Sequence, residues 1–237
     1  MIIASVGNLA QILIVLVLAT AAIIIMKRDI RSLIKTYAFQ SLLLAAMALL
    51  FFLETGILTL LYLAIIILVS KVLIIPHFMR LVQKRLNLQR DVKFHFLSPV
   101  TSLLASIVII LFVYLSFSSL LSELNRFNSS LFFLGATVGM SIVFMGMIVI
   151  FTRKQTITNI VGYLTMENGV VLFSFFLTEL PLLIEVLIIV DLIMLTLIAT
   201  ILAFGIDSTI EEFHARLNPF YHPAKDASQK QVEDIEQ

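Results

Sequence analysis

The stretch Leu58-Thr59-Leu60-Leu61-Tyr62-Leu63-Ala64-Ile65-Ile66-Ile67-Leu68-Val69-Ser70-Lys71-Val72-Leu73-Ile74-Ile75-Pro76 decides the architecture. It is apolar on every side of a helix, not along one stripe, and it holds a single charge, Lys71. A helix of about 20 such residues, rising ~1.5 Å per residue, matches the ~30 Å hydrocarbon core of a bilayer. Just before it, only Glu54, Thr55 and Gly56 separate it from another apolar run, 37–53. A Gly in so short a link suits a helical hairpin, because it tolerates the left-handed conformation that ends a helix. The alternative, one helix of ~40 residues, would overrun the bilayer about twofold.

Working outward, further runs lie at 7–26, 99–121, 129–151, 157–179 and 181–206. With 37–53 and 57–75 they predict an all-α, polytopic integral membrane protein of about seven transmembrane helices. The composition agrees. Of 237 residues, 60% are apolar and 13% charged, against about half and about a quarter in soluble domains. A net charge of +1 argues against a nucleic-acid partner, which needs a large basic surface. There is no Cys, so this chain holds no disulfide, Cys-ligated zinc or iron–sulfur cluster. There is no Trp, which leaves interfacial anchoring to Tyr and the 19 Phe.

With seven spans, 14 of the 16 Lys and Arg fall on one side. Lys27, Arg28, Arg31 and Lys35 follow span one; Arg80, Lys84, Arg85, Arg90 and Lys93 follow span three. Arg153 and Lys154 follow span five, and Arg216, Lys225 and Lys230 lie in the tail. Arg126 stands alone on the other side. The positive-inside rule then places the N-terminus outside and the C-terminus in the cytoplasm, as expected for a multi-pass protein of the cell inner (plasma) membrane. Span one reads as uncleaved: residues 1–8 lack positive charge, and Lys27 and Arg28 come after the apolar run.

The segment 76–98 is the only long loop between spans. Met79, Val82 and Leu86 recur at helical spacing, apart from Arg80, Lys84 and Arg85. That pattern predicts a short cytoplasmic interfacial helix, held by anionic lipid or docking a partner. The chain thus divides into an N-terminal four-helix membrane region (1–128), a three-helix unit (129–206) and a polar tail (207–237), with a short helix expected over 208–217.

A charge at the bilayer centre costs about 2.5–3.5 kcal/mol or more, so each one requires a reason. Glu167 is ten or eleven residues into span six and Asp191 about ten into span seven, so each lies ~15–16 Å deep. The two helices form a hairpin turning at Glu179, Leu180 and Pro181, and two acids at one depth can share a polar pocket. Glu185 is shallower and about 120° around the helix from Asp191. Lys71 either raises its ammonium to the nearby interface or is a buried cation paired with an acid. Asn159 and Asn168 are candidates for helix–helix hydrogen bonding. Burial favours the neutral form of a carboxyl and a nearby cation favours the charged form, so Glu167, Asp191, Glu185 and Lys71 are the candidate proton-transfer residues. The alternative is that these acids only join helices. Gly135 and Gly139 form a small-xxx-small pair that permits close helix approach. No His lies deep in a span, and there is no phosphate-binding Gly-rich loop or Ser/His/Asp set. Neither a catalytic residue, a metal ligand nor a cofactor is expected.

The run Thr152-Arg153-Lys154-Gln155-Thr156-Ile157-Thr158-Asn159-Ile160-Val161-Gly162-Tyr163-Leu164-Thr165-Met166-Glu167-Asn168-Gly169 resembles the three-helix NuoK-type subunit of respiratory complex I and its counterparts in Mrp-type cation/proton antiporters. With four extra spans before that unit, the chain resembles hydrogenase-4 component E (HyfE-type), from the membrane arm of group 4 nickel–iron hydrogenases. The resemblance implies a subunit that is not catalytic alone. Its partners would be an antiporter-like membrane subunit and other subunits of a hydrogenase or formate hydrogenlyase complex. One departure stands out: the family's key Glu falls at the position of Leu164, three residues before Glu167. The second family Glu has no clean match, and Asp191 or Glu185 would replace it. A reading without the resemblance is an independent small-solute or ion transporter, or a structural scaffold. No internal repeat of the kind common in transporters is evident.

Overall fold

The computed structural model describes residues 2–85, 99–124, 130–153, 155–176 and 180–204. They form α1 (Ile2–Met26), α2 (Ile30–Thr55), α3 (Leu58–Ile66), a π-helical segment (Ile67–Ile74), α4 (Ile75–Arg85), α5 (Pro99–Leu124), α6 (Ser130–Thr152), α7 (Thr156–Ser174) and α8 (Leu180–Phe204). Among the described residues, five helices are long and apolar enough to cross a membrane: Gly7–Met26, Ile30–Thr55, Leu58–Lys84, Val100–Ser119 and Ser130–Thr152. This is the build of an all-α, multi-pass membrane protein. Its outer surface agrees: Leu104, Ile107, Val108, Leu111 and Phe112 of α5 are all exposed, a face suited to lipid and not to water.

The hairpin between α2 and α3 forms as the short link requires. Gly56 adopts φ 70° and its N–H donates to Phe52 O, ending α2. The start of α2 lies earlier than the hydropathy indicates, at Ile30 and not near 37. Asp29 explains the difference, since its carboxylate accepts from Ser32 N at 2.8 Å and caps the helix within the basic segment. Arg31 and Lys35 then ride on the exposed side of the first turns of α2.

The short helix expected after 76 is present as α4, but no loop separates it from span three. The chain remains helical without a break from Leu58 through Arg85. Met79 and Val82 are buried in the main core while Arg80 and Lys84 are exposed, so the amphipathic segment docks on its own bundle, against α2 and α8. Residues 86–98, the polar tail and the helix expected over 208–217 lie outside the described residues.

Pro76 accounts for the π-helical turn. A proline has no N–H and its ring collides with the carbonyl four residues back in an α-helix. Here the register widens before it: Ile75 N–H donates to Ser70 O, five residues back. Ser70 and Lys71 therefore lie on the widened turn.

Helices α6 and α7 form the tightest pair. Gly139 and Gly146 face Gly162 and Gly169 across it. A Cβ added to Gly146 would stand 2.6 Å from Met166 N, and one on Gly169 would stand 2.7 Å from Gly139 O. The small-residue pair expected at Gly135 and Gly139 is thus part of a longer zip, with Gly135 packed under the Phe176 ring. Contacts of α1 with α6 and of α2 with α7 join the regions 1–128 and 129–206 into one packed body. The described residues all belong to one compact unit, Met1–Ile206.

Candidate functional site

The buried polar residues gather where α2, the π-helical turn, α7 and α8 meet. At the centre is Lys71, fully buried. Its Nζ lies 2.9 Å from Glu167 Oε1 and 4.0 Å from Asp191 Oδ1. It also donates to Asn168 Oδ1 at 3.3 Å. Of the two placements open to Lys71, the chain adopts the buried ion pair and not the extended reach to the interface. The reason is geometric: the widened turn directs the side chain inward, where two carboxylates offset the loss of water around the ammonium.

Around this centre each polar atom has a defined task. Asn168 Nδ2 donates to Gln40 Oε1 and to Ser41 Oγ, each at 3.1 Å. That fixes which end of the amide faces Lys71, since the oxygen is left to accept. Gln40 in turn donates to Val17 O of α1 at 3.3 Å. Ser70 Oγ lies 2.5 Å from Asp191 Oδ2 and 2.8 Å from Ile66 O, with one proton to give; the carboxylate is the stronger acceptor. Glu167 Oε2 makes no hydrogen bond with a described residue.

The cluster contains one cation and two carboxylates. Asp191 also borders a cleft of about 200 Å³ between the π-helical turn and α8, otherwise walled by Ile66, Ile74, Ile75, Ile188, Leu192 and Leu195, with Ser70 at its polar end. The cluster therefore lies beside a space open to the outside of the bundle, while its other sides are packed.

The other sequence candidates fall elsewhere. Glu185 is exposed and outside the cluster, as its angular separation from Asp191 on one helix requires. Asn159 donates its amide N–H groups to Arg153 O at 3.0 Å and Ile150 O at 3.2 Å, bracing the turn between α6 and α7. Arg153 is buried, and its Nη2 donates to Ile25 O and Lys27 O, each at 2.8 Å. It thereby caps the end of α1 as well as contributing to the basic edge. Among the described residues no three His, Cys, Asp or Glu side chains come together as a metal site.

Sequence reasoning missed Gln40, Ser41, Ser70 and Tyr37. Three of them carried a signal: polar residues in otherwise apolar spans call for partners. Tyr37 did not, because tyrosine is ordinary at a membrane interface. The π-helical turn had only Pro76 as a sign.

Comparison with family models, with curated proteins and with solved structures gives no match.

Proposed function

We propose that the chain is a non-catalytic subunit in the membrane arm of a group 4 nickel–iron hydrogenase complex, formate hydrogenlyase-like, and that its buried cluster passes protons or cations coupled to redox chemistry. The observation that carries this reading is Lys71, held 2.9 Å from Glu167 and 4.0 Å from Asp191 inside an apolar bundle. A simple helix-joining pair needs one acid per cation. A second acid gives the group two ways to balance its charge, with the cation shared or with a proton taken up by a carboxylate. Such a group can load and release a proton as its neighbours change. The resemblance over Thr152–Gly169 supports the setting, and Glu167 stands one helical turn from the family's acid.

In this reading α7 and α8 also span, giving seven spans. The basic edge that holds Arg31, Lys35, Arg80 and Lys84 faces the cytoplasm. Partners are an antiporter-like membrane subunit and the other hydrogenase subunits, in the inner membrane. The test is Glu167→Gln in everted vesicles, with hydrogen- or formate-driven acidification followed by a pH-sensitive dye. The variant is expected to assemble with its partners and lose acidification. Undiminished acidification in it would rule the mechanism out.

The cleft beside Asp191 favours a second reading, a transporter taking a small solute into the bundle. A lone purified chain that accumulates solute in liposomes would favour it, whereas co-purified hydrogenase subunits would favour the first.

A further inference from the structure

Among the described residues, Tyr37 is the largest fully buried side chain. Its hydroxyl lies beside Ser41 and within electrostatic reach of Glu167 and Asp191. It makes no well-formed hydrogen bond with a described residue. Leaving a buried hydroxyl unpaired costs about 1–3 kcal/mol. Phenylalanine would fill the same space without that penalty, so packing alone does not explain the oxygen.

The surroundings do. Ser41, one helical turn further along α2, accepts from Asn168, which accepts from Lys71, which pairs with Glu167. Tyr37 thus stands one helical turn beyond a hydrogen-bonded series of polar groups, its own hydroxyl without a hydrogen bond to a described residue. By helical rise it lies ~6 Å nearer the basic edge than Ser41. Beyond it α2 presents Ile30, Leu33 and Ile34, all fully buried, while Thr36, one residue nearer the basic edge, accepts from Lys27 Nζ at 3.3 Å. Tyr37 Oη, Glu167 Oε2 and Asp191 Oδ1 are all buried without a hydrogen bond from a described residue. Buried polar atoms of this kind are ordinarily satisfied by ordered water.

We propose that Tyr37 is a proton-relay group that links the Lys71–Glu167–Asp191 cluster, through Ser41 and bridging water, to the basic edge of the bundle. This rests on the proton-transfer reading above. The step is a hand-over. A hydronium ion on the basic-edge side gives its proton to the phenol oxygen as the phenol O–H bond breaks. The released proton passes by Ser41 and water to the Glu167 carboxylate. The phenol is neutral before and after, and the positive charge ends on Glu167 as a neutralised carboxyl.

The test is Tyr37→Phe beside Glu167→Gln in everted vesicles of the complete complex, with a strain lacking the chain as baseline. Assembly is scored by co-purification. A positioned acid–base group contributes about a hundredfold to proton transfer. The proposal expects Tyr37→Phe to assemble and to lose acidification about tenfold or more, as Glu167→Gln does. Acidification by Tyr37→Phe within about twofold of wild type, with Glu167→Gln inactive, overturns the relay and leaves the cluster reading standing. Normal acidification by Glu167→Gln, or none that depends on the chain, overturns both. If Tyr37→Phe does not assemble, Tyr37→3,5-difluorotyrosine keeps the hydroxyl and makes it more acidic. Its pH profile is then expected to move to lower pH on the alkaline side, and an unmoved profile overturns the relay.

Discussion

Removing the ammonium at the centre of the cluster by Lys71→Met tests how the bundle tolerates its buried charge. The methionine keeps most of the side-chain volume, so packing loss is small. The electrostatic loss is not. With an effective dielectric constant of about 20, the attraction at 2.9 Å is about 6 kcal/mol, and at 4.0 Å about 4 kcal/mol. These gross values are opposed by the desolvation of three ions, and removal of one partner of a buried pair typically costs about 3–5 kcal/mol. The expected loss of stability for Lys71→Met is therefore about 3–5 kcal/mol. Glu167→Gln alone leaves Lys71 with Asp191 and Asn168, so it is expected to cost less, about 1–3 kcal/mol. The double variant carries neither member of the closer pair and is expected to be more stable than the sum predicts by about 2 kcal/mol or more. The assay is reversible unfolding of the four proteins of this cycle in one mixed-micelle system, followed by circular dichroism. A coupling below about 0.5 kcal/mol, the level found for independent sites, would show that Lys71 and Glu167 do not depend on each other and would refute the reasoning.

Two further predictions concern the frame that holds the site. Gly146→Ala places a methyl group against backbone atoms of α7 that have no rotamer to yield, so it is expected to lower stability by about 1–3 kcal/mol; Gly7→Ala, with nothing within 4 Å, is the control expected to be neutral or mildly stabilising, and thermal unfolding in detergent compares them. Arg153→Met removes two charge-assisted bonds to the end of α1, with an expected loss of about 2–4 kcal/mol and faster hydrogen exchange at 24–28, whereas exposed Arg31→Gln stays within about 0.5 kcal/mol.

How much of this was legible beforehand depends on the kind of signal. Five of the spans were, because a lipid core leaves a backbone little choice but to satisfy its own hydrogen bonds in helices, and that demand is written locally as length and hydropathy. The α2–α3 hairpin was legible at Gly56, where one residue takes the left-handed turn. Local sequence also showed that Lys71, Glu167 and Asp191 needed partners, but not which partners. The start of α2 at Asp29 and the continuation of α3 into α4 are not visible in hydropathy, because capping and docking act through single hydrogen bonds and buried faces that an average over a window does not see.

From sequence alone came an all-α membrane chain with unpaired charge deep inside it, since both follow from how each segment partitions between water and lipid. Only the packed bundle decided that Lys71 meets Glu167 and Asp191, that Asn168 ties α7 to Gln40 and Ser41 across 128 and 127 positions of chain, and that Glu185 stays outside. Those choices rest on helix rotation and on a π-helical turn that changes the register by one residue. Rotation is set by close glycine contacts between α6 and α7 and by the packing of α7 against α2, and no stretch of sequence states it by itself.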